Sequence, residues 1–400
     1  MQNNNQEVLL RVEHLCQYFK YTKAVDDVNF EIKRGEVFGL VGESGCGKTT
    51  TGRSVIRIYD ITSGSIYFKG KRVCAGTRSY EEAIRAARKE LKKPDDEVSA
   101  SRKVALKAEI KANREKIRLA KYDHTHADKD YAKELQKKLT AEYEEAKAKA
   151  KYDSKALKEL TADYKRDMYV AKHSKLITKI QMIFQDPIAS LNPRMTVKEI
   201  ISEGLVINGI KDQEYIDQEV YKILELVGLT REHASRYPHE FSGGQRQRIG
   251  IARAVIMHPD LLIADEPISA LDVSIQAQII NLLNELRSQL GLTIMFIAHD
   301  LSVVKYFSDR IGVMYFGKMV ELASSDELFA HPLHPYTKSL LSAIPLPDPH
   351  AEKRRQRIAY NPLESHDYSV NKPSMREIKP GHFVYCNDEE EVQLKKELGL

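Results

Sequence analysis

The stretch Gly42-Glu43-Ser44-Gly45-Cys46-Gly47-Lys48-Thr49-Thr50 constrains this chain more than any other. It follows an apolar run, Val37-Phe38-Gly39-Leu40-Val41, and precedes a segment, 51–59, that reads as helix. Strand, glycine-rich loop and helix in that order make a P-loop, which cradles phosphate on backbone N–H groups. The glycines matter because those N–H groups must turn inward to touch oxygen, and a Cβ obstructs the approach. The unpaired N–H groups and positive dipole end of the following helix favour the same anion. Lys48 is then expected to reach the terminal phosphates and Thr49 to place its hydroxyl on Mg²⁺. Cys46 lies inside the loop, so alkylation there is expected to block nucleotide.

A length of 400 residues allows one large domain or two ordinary ones, with ample core. Cys16, Cys46, Cys74 and Cys386 are scattered and none forms a Cys-x-x-Cys pair, which argues against a disulfide framework or structural zinc and suits a reducing compartment. The N-terminus lacks a basic-then-apolar leader pattern. No apolar run approaches the ~20 residues that span a bilayer, and candidates such as 311–316 read as buried strands. Any membrane link is therefore expected to run through a partner. The net charge of +5 is uneven: residues 76–178 hold 27 Lys and Arg against 19 Asp and Glu, and the remainder 35 against 38.

Along the chain, residues 8–33 alternate apolar and polar positions and predict short antiparallel strands. Between them, Tyr18-Phe19-Lys20-Tyr21 offers aromatic faces for a nucleobase or, equally, half-buried strand aromatics. Residues 63–70 read as a turn and another strand. The segment 76–178 is rich in the helix formers Lys, Glu and Ala. Pro94-Asp95-Asp96 and Asp123-His124-Thr125-His126 are expected to break or cap its helices. Tyr131, Leu135, Leu139 and Tyr143, then Leu157, Leu160, Tyr164 and Met168, recur at spacings of three and four, predicting a helical hairpin packed along a narrow seam. A solvated structural hairpin, a protein-docking surface and a nucleic-acid or lipid surface remain open for it, in that order of preference. His124 and His126 lack further metal-type ligands nearby and read as exposed loop residues.

From Ile180 the globular pattern resumes, with a strand ending in the polar loop at Gln185, two or three helices over 196–229, and Phe241-Ser242-Gly243-Gly244-Gln245 opening another helix. Ser before two glycines at a helix start is a second anion-binding geometry. Leu261-Leu262-Ile263-Ala264-Asp265-Glu266 reads as a buried strand delivering two carboxylates, followed by Ser269-Ala270-Leu271-Asp272, a helix near 275–289, and a strand ending at His299. Alternating strands and helices indicate a mostly parallel α/β sheet with ligand groups at strand carboxyl ends. Asp265 suits holding Mg²⁺ from outside its inner ligands or through water, and Glu266 suits a base that orients and deprotonates water attacking a γ-phosphate. His299 can donate to that phosphate, and Gln185 can bridge Mg²⁺ and the attacking water.

These residues, in this order, resemble the ATP-binding cassette (ABC) ATPases. The resemblance identifies 42–50 as the Walker A, Gln185 as the Q-loop and Ser242 to Gln245 as the signature. It makes 261–266 the Walker B, 269–272 the D-loop ending in Asp272, and His299 the switch histidine. It places Phe19 nearest the adenine-stacking position, with Tyr18 and Tyr21 as alternates. Pro238-His239-Glu240-Phe241-Ser242, the run from Ser269 to Gln278, and His334-Pro335-Tyr336-Thr337 further resemble the oligopeptide/dipeptide importer subunits. Some relatives carry a cysteine cluster after that last motif; with only Cys386 there, an iron–sulfur centre is not expected.

The fold implied is an ABC-type P-loop ATPase with an antiparallel β subdomain, a helical signature subdomain and a charged helical-hairpin insertion. Residues 1–333 form the ATPase domain, interrupted by 76–178, and 334–400 a C-terminal extension. The resemblance implies ATP and Mg²⁺, and head-to-tail closure on a second ABC ATPase chain, as a rule a different protein, though a homodimer is allowed. It also implies two membrane permease subunits, an extracytoplasmic substrate-binding protein reached indirectly, no nucleic acid, and a peripheral place on the cytoplasmic face of the membrane. The transported molecule is not readable, because this subunit does not touch it. The competing reading is a soluble ABC ATPase of chromosome or repair type that uses the insertion as a coiled coil.

Overall fold

Residues 8–33 form one long hairpin where short strands were expected: β1 (Val8–Phe19) and β2 (Thr22–Lys33) pair antiparallel along their length. Bulges absorb the breaks in the alternation. His14 and Asp27 take left-handed backbone angles, φ 50° and 60°, and the imidazole Nδ1 lies 2.7 Å from the carboxylate. The computed structural model describes residues 7–94, 99–149, 154–344, 357–369 and 371–400. It divides the chain into two units, 1–59 with 263–400, and 60–262. Among the described residues no helix is long and apolar enough to cross a membrane, and all four cysteines are free.

The first unit is built on β3 (Val37–Val41), buried at every position and running parallel to both β8 (Thr293–Ala298) and β9 (Arg310–Tyr315). Covered on both faces, such a strand needs the continuous apolar run its sequence supplies. Beyond β9 the order continues through β10 (Lys318–Ser324), β12 (His382–Cys386) and β11 (Ser374–Lys379), all antiparallel, while the end of β7 (Leu261–Asp265) follows β8. Two strands of the C-terminal extension thus extend the sheet that carries the phosphate loop. Phe30 of β2 stacks on Phe38 of β3 at 5.2 Å. Helices α1 (Lys48–Val55), α9 (Val273–Leu290), α10 (Leu301–Phe307), α11 (Ser325–Ala330) and α12 (Pro335–Ser342), with a last helix over Asp388–Glu397, complete this unit's larger elements.

The second unit begins with the hairpin of β4 (Ser63–Phe68) and β5 (Lys71–Ala75), then α2 (Arg78–Leu91), α3 (Ala100–Lys149) and α4 (Ser154–His173). At 1.5 Å per residue α3 is about 75 Å long. It passes without interruption through 123–126, so the expected break is absent, and His124 and His126 sit on a helix, not in a loop. The acidic residues there find side-chain work in place of capping. Asp123 pairs with the Arg72 guanidinium at 2.6 Å, and Asp128 accepts the Leu176 N–H at 2.9 Å. His126 stacks on Tyr122 one turn earlier, its Nδ1 2.9 Å from the Tyr122 carbonyl. The other expected break, Pro94-Asp95-Asp96, falls between the end of α2 at Leu91 and the start of α3 at Ala100: Pro94 is outside any helix, and Asp95 and Asp96 lie outside the described residues. The α3–α4 seam is held by Tyr143 stacked on Tyr164 at 4.1 Å. A drier contact, Ile84 and Ala87 against Leu106 and Ile110, joins α2 to α3.

Next come β6 (Ile180–Ile183), α5 (Pro187–Ser190), α6 (Val197–Ile207), α7 (Gln213–Leu226) and α8 (Gly243–Val255). Each of the last three helices starts on a side-chain cap: Thr196, Asp212 and Ser242 accept N–H groups of the first turn. Two arginines of α8 secure neighbouring loops, Arg248 donating to the Val227 carbonyl and Arg253 to that of Ser190, both at 2.6 Å.

Candidate functional site

The loop 42–50 joins β3 to α1, and its shape is forced by what lies behind it. Gly42 has φ 148° and Gly47 φ 105°; a Cβ on either would sit 2.2 Å from a backbone oxygen, that of Met314 or of Ala24. Only glycine fits both the angle and the approach. Gly47 caps α1 without a side-chain acceptor, so the first-turn N–H groups are left for something else. The expected helix 51–59 starts earlier, at Lys48, and ends at Val55; Arg57, at φ 63°, stops it.

Lys48 is buried, and its ammonium donates to the carbonyls of Gly42 (2.7 Å) and Glu43 (2.8 Å). The lysine thereby closes the loop on itself. The Thr49 hydroxyl donates to Asp265 Oδ1 at 2.7 Å. Asp265 ends β7 fully buried, and its Oδ2 has no hydrogen-bond partner among the described residues. Burial pushes this carboxyl up from its ordinary value, while the Thr49 hydroxyl and the Arg53 and Lys48 cations pull it back. A buried acceptor with an open valence is costly unless something else comes to it.

Glu266 takes a left-handed angle, φ 45°, and its N–H donates to the Ile297 carbonyl at 3.0 Å. A non-glycine residue in that region carries about 1–3 kcal/mol of strain, held by its surroundings. The turn aims its carboxylate at His299, whose Nδ1 lies 3.4 Å away. Both line a small cavity of about 60 Å³ with Ser269, Gln276 and Asp300, room for a few waters. Asp272 is exposed at the start of α9 and does not cap it.

Lys48, Thr49, Asp265, Glu266 and His299 therefore meet in the first unit. Gln185 and Ser242 to Gln245 belong to the second. Gln185 is exposed just beyond β6, where Asp186 caps α5 by accepting the Ile188 N–H. Ser242 and Gln245 form a reciprocal cap, each side chain accepting the other's N–H, so that they fix the start of α8 and leave Gly243 and Gly244 to present theirs. Phe19, 41% exposed, closes the β1–β2 hairpin edge-on to Tyr59; Tyr18 is committed to the Asp26 carboxylate and Tyr21 is fully exposed. Of the three aromatics only Phe19 combines an open face with a fixed position. Cys46 is buried and its thiol is pushed up, so it is a poorer target for alkylation than its place in the motif suggests.

Sequence reasoning missed two contributors. Arg53 brings positive charge to Asp265 from one turn further along α1. Tyr336 of α12 accepts the Glu43 N–H at 3.0 Å; the motif His334-Pro335-Tyr336-Thr337 was visible, but nothing in it signals the phosphate loop.

A glycine-rich loop after a central strand, a bare helix start and a carboxylate pair at the end of a sheet strand define a P-loop ATPase. Comparison with known proteins narrows this class. A family described as "ABC transporter" matches residues 25–136 and 134–269, the division falling inside α3, and "Oligopeptide/dipeptide transporter, C-terminal region" matches 320–370. The chain is 47% identical to the "Oligopeptide transport ATP-binding protein OppF" of Bacillus subtilis (strain 168), over 96% of this chain and 98% of that protein. It is 42% identical to the "Dipeptide transport ATP-binding protein DppF" of Lactococcus lactis subsp. cremoris, over 94% and 92%. Among solved structures, cbiO1 of Clostridium perfringens, part of the cbiONQ transporter complex, matches with TM-score 0.51 at 23% identity over 81% of this chain and 92% of that one, a likeness of fold alone. The chain belongs to the ATP-binding subunits of ABC transporters, in the oligopeptide/dipeptide group, and is an ATPase. The C-terminal region matched at 320–370 favours this membership over a chromosome or repair ATPase.

Proposed function

We propose that this protein is the ATP-hydrolysing subunit of an importer for oligopeptides or dipeptides, docked on two permease subunits at the cytoplasmic face of the membrane, with an extracytoplasmic binding protein delivering cargo. The carrying observation is the convergence of Lys48, Thr49, Asp265, Glu266 and His299 around one loop. The names of the relatives support the cargo class.

On this reading the N–H groups of 45–50 take the β-phosphate, and Lys48 leaves the Gly42 and Glu43 carbonyls for the β- and γ-phosphates. Phe19 stacks on the adenine. The Thr49 hydroxyl and the unpartnered Asp265 oxygen are hard donors that fit magnesium, with Gln185 joining them. When bound, the ion neutralises charge developing on the phosphates. Glu266 accepts a proton from the attacking water, and His299, oriented by Glu266, donates to the γ-phosphate. Ser242 to Gln245 of one chain close over the nucleotide held by a second ATPase chain, with Asp272 at that junction, so two helix starts clamp one triphosphate. Hydrolysis removes the γ-phosphate and opens the pair.

The test is Glu266→Gln in the assembled transporter. Nucleotide binding should persist while turnover falls by about 10²-fold or more. Turnover near wild type in that variant would remove Glu266 from the assignment.

A further inference from the structure

A chain of hydrogen bonds, buried except for its last, half-buried member, runs from the C-terminal strands to the phosphate loop. Glu321 of β10 is fully buried and satisfied three times, by the Leu333 N–H (2.8 Å), the His334 N–H (3.0 Å) and His382 Nε2 at the start of β12 (2.8 Å). His334, in turn, accepts the Tyr336 N–H on Nδ1 at 3.1 Å. That bond requires an unprotonated Nδ1, and burial together with nearby His366 and Lys338 lowers this imidazole to about 3, keeping it neutral. The Tyr336 ring is 1% exposed and packs on Tyr315 (4.4 Å) and Tyr360 (5.5 Å). Its hydroxyl accepts the Glu43 N–H.

The Glu43 backbone is thus held on both sides of its Cα, its N–H by Tyr336 and its carbonyl by Lys48. The two anchors differ in what happens next. Lys48 must leave when phosphate arrives; Tyr336 carries no charge for the phosphate to attract and has nowhere to go. We infer that the Tyr336 hydroxyl is a positioning group for the phosphate-binding loop, through which the C-terminal extension sets nucleotide affinity. Once Lys48 has turned to the nucleotide, this bond fixes the entry of the loop and so the aim of the N–H groups that follow.

The inference rests on nucleotide binding at 42–50. Equilibrium titrations of the full-length chain with ATP, ADP and adenosine separate the two claims. Tyr336→Phe keeps the ring against Tyr315 and Tyr360 but strands the Glu43 N–H. It should weaken ATP and ADP alike by about tenfold, leave adenosine unchanged, and leave Tyr360→Phe, run in parallel, at wild-type affinity. In the unmodified protein, hydrogen exchange at the Glu43 amide should be slower than at Ser44 and remain slow with ATP bound, a readout that needs no variant. Wild-type ATP affinity in folded Tyr336→Phe, an equal loss for adenosine, or a fast-exchanging Glu43 amide would each overturn the inference. Lys48→Ala tells the two failures apart: if it abolishes ATP binding while Tyr336→Phe changes nothing, the loop still binds nucleotide and only the role of Tyr336 falls.

Discussion

In the phosphate loop the backbone carries the shape, whereas in α2, α3 and α4 the side chains carry it. Residues 42–50 use three glycines at positive φ, two of them pressed on the Met314 and Ala24 carbonyls, and leave the first-turn N–H groups of α1 to a ligand. The helical segment satisfies its own backbone and is held by a few lateral contacts: the Ile84, Ala87, Leu106 and Ile110 cluster, the Tyr143–Tyr164 stack and the Arg72–Asp123 pair. A loop of the first kind fails abruptly when one atom is added. A helix of the second kind loses stability in increments, one contact at a time.

The sharpest way to break this contrast is Gly47→Ala. One methyl group would meet the Ala24 oxygen at 2.2 Å on a backbone angle that alanine disfavours. ATP binding should weaken by well over tenfold, because the loop at Gly47 must move away from Ala24 of β2 to admit it. Calorimetric titration returning wild-type affinity would mean that the loop yields easily and that backbone fit does not govern the site.

Leu106→Ala probes the other side of the comparison. Leu106 is 1% exposed between α2 and α3, and its truncation should cost about 2–5 kcal/mol of local stability. The loss should appear as faster hydrogen exchange over α2 and the first turns of α3, with ATPase activity kept within about twofold, since local opening need not reach other elements. A collapse of activity with that pattern would show that the helices support the nucleotide site.

Much of this was legible because the motifs are local. The loop 42–50, the Asp265-Glu266 pair and the cap at Ser242 each fit in a few consecutive residues whose types match their backbone task. Fold class followed from alternating strands and helices. What stayed hidden is long-range or depends on backbone angle. The bond from Tyr336 to Glu43 spans 293 positions, and no periodicity connects them. The left-handed turn at Glu266 is set by its neighbours, against the preference of the residue itself. Cys46 read as an accessible thiol because burial is a property of the fold. The misplaced break at 123–126 has a different origin: Asp and His were weighed as cap formers, but the side chain of Asp123 is spoken for by Arg72 and that of His126 by Tyr122, and the strong helix formers on either side carry the backbone through.

That misreading yields the smallest prediction. Were Asp123 a cap, Asp123→Ala would fray a helix end and cost about 1 kcal/mol with a loss of helical signal. Placed mid-helix, the same change removes a partly exposed ion pair to Arg72, worth at most about 1 kcal/mol, and installs the best helix former, regaining a few tenths to about 0.7. The two nearly cancel. Circular dichroism should show unchanged helix content, and thermal unfolding should shift by no more than a degree or two. A measurable drop in helicity would restore the break at 123–126 and shorten α3 to two pieces.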